Sequence, residues 1–195
     1  MEDLMYQRLS PESSLLVIVD VQERLMPAVL HERQIVFNVR RLLEAAQAID
    51  VPVVVTEQYP QGLGNTVQEL ASFIPKDAPV LPKKSFSIYD DAPIRATIEN
   101  HRRSQIILCG VEAHVCVQQS AFDLHRAGHE VYIVVDSIGS RSADDREIAL
   151  RRFESSGMAL TTTESLLFEW CRTAEHPQFK TVSRLVKETA PEISP

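Results

Sequence analysis

Short β-branched runs alternate with longer helix-period segments along nearly the whole of this 195-residue chain, and that alternation limits the fold more than any other feature. Leu15-Leu16-Val17-Ile18-Val19 is apolar without interruption up to Asp20. An unbroken apolar run reads as a parallel strand covered on both faces. Ile35, Val39, Leu42, Leu43, Ala46 and Ile49 then recur at helical spacing. Residues 51–56 predict a second strand, with Pro52 tolerable at its start. The pattern continues as a helix around 66–73, a strand near 79–83, a helix over 92–103 and a strand over 104–109. It goes on with a helix over 114–127 stopped by Gly128, a strand over 130–135 ending at Asp136, a helix over 144–155 and a strand over 158–162. Helices over 163–172 and 179–188 close it.

Strands joined by helical crossovers predict an α/β, Rossmann-like three-layer sandwich built on a six-stranded, mostly parallel sheet. The length suits one domain over residues 1–195, with its core at about 13–187. Sheets of this kind bind ligands beyond the carboxyl ends of their strands, where the strand order reverses. Asp20, Lys83 and Asp136 fall at predicted carboxyl ends, and Gly110 follows another. The charge balance points to a small-molecule substrate: 20 Lys plus Arg against 27 Asp plus Glu leave a net −7. No nucleic-acid or membrane partner is expected, because phosphate neutralisation needs clustered cations. Apolar runs such as residues 15–19 also stop far short of the ~20 residues of a spanning helix. The opening Met1-Glu2-Asp3 has neither a basic nor an apolar leader region, so a cytoplasmic location is expected.

Several common motifs are missing. Gly62-Leu63-Gly64 lacks the third glycine of a dinucleotide fingerprint, since Val67 stands there, and there is neither a P-loop nor a G-x-S-x-G elbow. The six histidines form no ligand pattern, so neither a metal nor another cofactor is expected. Cys109, Cys116 and Cys171 are odd in number and widely spaced, which argues against a disulfide framework. Cys116 is the candidate nucleophile. It falls in the first turn of a predicted helix just beyond a strand, where free N–H groups and a partial positive charge favour a thiolate and could hold an oxyanion. Asp20 could act as its base and Lys83 could supply positive charge. An oxidisable sensor thiol, or a catalytically silent interaction protein with the same fold, are the rival readings.

The residues also carry a resemblance. Asp20-Val21-Gln22, Lys83-Lys84-Ser85-Phe86-Ser87 and the segment from Gly110 to Val117 resemble, in order and interval, three motifs of the isochorismatase-like cysteine hydrolases. The stretch from Thr56 to Gly64 is similar to the isochorismatase domain-containing protein 2 group within that family. The resemblance implies hydrolysis of a small amide-like or ester-like substrate through a thioester, by an Asp20–Lys83–Cys116 triad. It also implies a cis peptide between Val111 and Glu112, with the N–H groups of Glu112 and Cys116 forming an oxyanion hole. Gln22, Gln58, Tyr59, Phe86 and Tyr89 are the candidate substrate-binding residues. The family's nicotinamidases carry an Asp-x-His metal motif where this chain has Glu57, Gln58 and Tyr59, which counts against a metal. Relatives are commonly oligomeric, so a homo-oligomer is expected.

Overall fold

Six strands pair in parallel: β1 (Ser14–Val19), β2 (Val53–Gln58), β3 (Val80–Lys83), β4 (Gln105–Val111), β5 (Glu130–Gly139) and β6 (Ala159–Thr161), in the spatial order β3-β2-β1-β4-β5-β6. The computed structural model describes residues 8–191, so the opening Met1-Glu2-Asp3 lies outside the described residues. The helices are α1 (Glu32–Ile49), α2 (Pro60–Leu63), α3 (Gln68–Ala71), α4 (Ala92–Asn100), α5 (Gln118–Arg126), α6 (Ala143–Ser155), α7 (Thr163–Cys171) and α8 (Phe179–Val186). No helix among the described residues is long and apolar enough to cross a membrane.

Both sheet faces are covered, for the reason the unbroken apolar runs suggested. In β1, Leu15, Val17 and Val19 pack with Val54, Ile106, Leu108, Val131 and Ile133 beneath α4, α5 and α6. Leu16 and Ile18 alternate to the other face, with Val55, Ile107 and Val134, under α1, α7 and α8. Leu166, Leu167 and Trp170 of α7 are buried in this second layer, whereas Phe168 remains exposed. Each fully buried Leu, Ile or Val contributes about 1.5–3 kcal/mol relative to exposure.

The strand order runs outward in both directions from the β1–β4 pair, which places the topological switch between these two strands. Val19 of β1 lies opposite Gly110 of β4. There Gly110 adopts φ +111°, and a Cβ on it would sit 2.0 Å from the Val19 carbonyl oxygen. Only glycine allows the two backbones to come this close.

Some elements differ from expectation. The strand expected to end at Asp136 continues to Gly139: Leu108 and Gly110 of β4 pair with Ile133 and Ile138, so β5 bulges between them. Asp136 sits in that bulge. Its Oδ1 accepts the Thr163 N–H at 2.8 Å and the Thr163 hydroxyl at 2.9 Å, which ties down the start of α7. A half-buried carboxylate met by a helix's first N–H and its hydroxyl is a structural anchor, and this corrects its placement at a strand's ligand-facing end. The helix expected over 66–73 shortens to α3, because Thr66 is held in a bridge to Gln22.

Candidate active site

Asp20 leaves β1 with φ 55°, a left-handed conformation that Asp tolerates better than most residues. Its N–H donates to the Thr56 carbonyl at 3.1 Å, and its side chain turns into the protein, fully buried. Lys83 ends β3, two strand spacings away, or roughly 10 Å. Its side chain reaches back over β2, and Nζ lies 2.7 Å from Asp20 Oδ2, both side chains being 0% exposed. Two side chains of β2 on the same face accompany this crossing. Thr56 Oγ1 donates to Asp20 Oδ1 at 2.8 Å, and Gln58 Oε1 accepts from Lys83 Nζ at 2.7 Å. The carbonyls of Ser85 and Phe86 accept from the same ammonium, each at 3.2 Å. Lys84 is exposed, so strand alternation selects Lys83 of the two lysines.

The third element arrives from β4. The peptide between Val111 and Glu112 is cis, and the next turn, Ala113–Val117, is a π-turn rather than the expected start of an α-helix. The Val117 N–H reaches back five residues to the Glu112 carbonyl at 3.2 Å. A π-turn is a common means of aiming one side chain at a functional site. Here it carries Cys116, which is 6% exposed and whose thiol interacts with both Asp20 and Lys83. Burial, then the Asp20 carboxylate, push this thiol up to about 12, and Lys83 only partly opposes them. Burial and the carboxylate thus favour the protonated thiol, against the thiolate that a helix start and a nearby ammonium favour. Desolvation is the largest of these influences because it penalises the charged form.

Cys109 is buried with its Sγ 3.7 Å from the Val17 carbonyl, and Cys171 is buried with its Sγ 3.5 Å from the Thr173 carbonyl, so neither thiol adjoins the Asp20–Lys83 pair. Ser120, fully buried on α5, donates to the Cys116 carbonyl at 2.6 Å and accepts the Ile88 N–H at 3.0 Å. It thereby joins the cysteine turn to the loop after β3.

The candidate substrate contacts divide. Phe86 (52% exposed) and Tyr59 (50% exposed) stand at the rim, each backbone adjoining Lys83. Gln22 is fully buried, and its amide is wholly engaged with backbone: Nε2 donates to the Gln58 and Gly64 carbonyls at 3.0 and 2.7 Å, and Oε1 accepts the Gln58 N–H at 2.7 Å. It braces the end of β2 and has no polar atom left for a ligand. Tyr89 points away altogether. Its hydroxyl pairs with Glu99 at the far end of α4, and its ring meets His129, which immediately precedes β5, edge-on at 6.1 Å. Both partners lie toward the amino ends of the strands, opposite Asp20, Lys83 and Cys116, so Tyr89 is removed from the candidate pocket. Glu57 faces the other side of β2, where its Oε1 takes the Thr66 N–H and hydroxyl at 2.6 and 2.9 Å.

Residues 14–165 match the family model of the isochorismatase domain. The chain belongs to the isochorismatase-like hydrolase family. Isochorismatase domain-containing protein 2 of Rattus norvegicus is 40% identical over 187 residues, covering 95% of this chain and 87% of the relative. A Caenorhabditis elegans structure described as MAR1 ribonuclease is 37% identical with a TM-score of 0.90, and 96% of each chain is covered. The Escherichia coli YcaC product, an octameric hydrolase of unknown specificity, is 25% identical with a TM-score of 0.87, covering 92% of this chain and 89% of that one. The three motifs that carry the family resemblance are thus brought to one edge of one sheet. Thr56, Gln58 as a lysine ligand, and Ser120 escaped sequence reasoning. The signal available for the first two was their alternate spacing on a strand lying between the strands of Asp20 and Lys83.

Proposed function

We propose that this chain is a cysteine hydrolase that cleaves a small amide-like or ester-like substrate through a thioester on Cys116. The observation that carries this reading is the buried ion pair of Asp20 and Lys83 at 2.7 Å, with the Cys116 thiol against both. Because burial favours the protonated thiol, proton removal accompanies attack. Asp20 accepts the proton from Sγ as sulfur bonds to the carbonyl carbon, and the carbonyl electron pair moves onto oxygen. Asp20 Oδ2 suits this role, since beyond its ion pair it makes no directed hydrogen bond. The N–H groups of Glu112 and Cys116, on either side of the π-turn's start, are the donors for the oxyanion, and the cis Val111–Glu112 peptide sets the direction of the first. The intermediate collapses as the leaving group takes the proton from Asp20. Water then enters, gives a proton to Asp20 and attacks the thioester, and the departing sulfur recovers that proton. Lys83 stabilises the sulfur as it gains charge.

Phe86 and Tyr59 wall the entrance. A homo-oligomer fits this reading, as the Escherichia coli relative is octameric. The ribonuclease description of the Caenorhabditis elegans relative is less well matched. A phosphodiester's extra negative charge needs free cations, whereas Lys83 is paired with Asp20 and Arg141 with Glu112 at 2.8 Å, which leaves the exposed Lys84 beside the site. Incubating the full chain with a panel of small amides and esters, followed by intact-mass analysis, tests the reading. An acyl adduct on Cys116 that disappears in Cys116→Ala is expected. Turnover that survives Cys116→Ala would falsify the mechanism.

A further inference from the structure

We propose that Gln58 is a positioning residue, which fixes the Lys83 ammonium between Asp20 and Cys116 instead of contacting the substrate. The inference rests on the cysteine-hydrolase reading and concerns how that site is held ready. Lys83 carries three protons on a side chain that is 0% exposed, with no solvent to orient them. Its two closest partners, Asp20 Oδ2 and Gln58 Oε1, both lie at 2.7 Å, and the two loop carbonyls at 3.2 Å are weaker. The carboxylate alone would let the ammonium pivot about it. The amide oxygen supplies a second fixed point.

The orientation of that amide is also determined. Gln58 Nε2 donates to the Lys84 carbonyl at 2.9 Å, so a flipped amide would set an N–H against the ammonium and an oxygen against a carbonyl. Its backbone, in turn, is clamped by Gln22 through both the N–H and the carbonyl. Replacing the Gln58 side chain therefore leaves the end of β2 in place and removes only the group facing Lys83. With both amide ends engaged, Gln58 has little capacity left for a ligand.

The consequence falls on Cys116, on which Asp20 and Lys83 act with opposite sign. An ammonium held near sulfur favours the charged form, and one drawn away no longer offsets the carboxylate. Gln58→Met removes the fixed point at similar size. Gln58→Glu adds a second carboxylate that draws the ammonium toward β2 and sets an oxygen against the Lys84 carbonyl.

The test is the pH dependence of iodoacetamide alkylation of Cys116 in the full chain, read by peptide mass analysis, with thermal melting to confirm the fold. In both variants the profile should move to higher pH, with the rate at a fixed neutral pH falling about tenfold, which corresponds to one pKa unit. Where an acyl substrate is in hand, kcat should fall while KM stays within about twofold. A Gln58→Met profile superimposable on the parent, or lying below it, overturns the proposal, as does a raised KM with unchanged kcat. Failure of the hydrolase reading itself looks different: alkylation of Cys116 in the parent chain would then be indifferent to Lys83→Met.

Discussion

Separating the Asp20–Lys83 pair should destabilise the protein far more than loss of a surface ion pair. At 2.7 Å the attraction is about 6 kcal/mol at an effective dielectric of 20, with both side chains removed from water. That attraction is offset by desolvating two charges, so the pair's net contribution is small. The single variants are the severe case, because each strands the other charge in a dry site. Asp20→Asn, chosen because Asn also tolerates the left-handed backbone at φ 55°, leaves the ammonium with Gln58 and two carbonyls. Lys83→Met leaves the carboxylate with the Thr56 hydroxyl at 2.8 Å and the neutral Cys116 thiol. Each should lower the unfolding free energy by about 3–5 kcal/mol. For a chain of this length, that is roughly 6–20 °C in Tm. The double variant, in which neither charge remains, should recover about 2 kcal/mol or more relative to the sum of the singles. Urea unfolding of all four proteins at pH 7 measures the cycle. If both single variants cost under about 1 kcal/mol and the double is additive, the pair is screened by water and the buried-site argument fails.

Three further outcomes follow from the geometry. Gly110→Ala should abolish folding or lower stability by more than about 3 kcal/mol, because a Cβ 2.0 Å from the Val19 carbonyl must force the β1–β4 pair apart; circular dichroism and melting report it. Tyr89→Phe should leave the Cys116 alkylation profile unchanged, because the lost hydroxyl pairs with Glu99 at the opposite edge of the sheet; a changed profile would return Tyr89 to the site. Alkaline pH should destabilise the fold. Thiols of the unfolded chain ionise near pH 8.5, while buried Cys116 stays protonated to about 12 and Cys109 is pushed up as well. The unfolded state then binds fewer protons, so stability is complete below about pH 8.5 and falls as pH rises toward 12. The urea midpoint should drop between pH 7 and pH 10, and Cys116→Ala should reduce that drop.

The strand–helix alternation was legible because strands buried on both faces leave unbroken apolar runs, as in residues 15–19, and because such runs need helices between them to pair in parallel. Asp20, Lys83 and Cys116 were legible as a set through three ordered motifs. Asp136 was misread because a charged residue after an apolar run resembles a strand end, and nothing local shows that pairing resumes at Ile138. Tyr89 and Gln22 were misread for a related reason. A residue type and a position near a motif do not tell which way a side chain turns or what already occupies it.

By itself, then, the order of residues determined the alternating architecture, the membership of a family and the three groups that meet at the site, since these depend on pattern and spacing along the chain. Tertiary structure alone decided that burial favours the protonated thiol, that Thr56 and Gln58 hold the ion pair from the strand between its members, and that Tyr89 belongs to the other edge. Those outcomes depend on desolvation and on contacts between residues 10 to 96 positions apart in the chain. Water exclusion and convergence of this kind exist only once the sheet has closed under its two layers of helices.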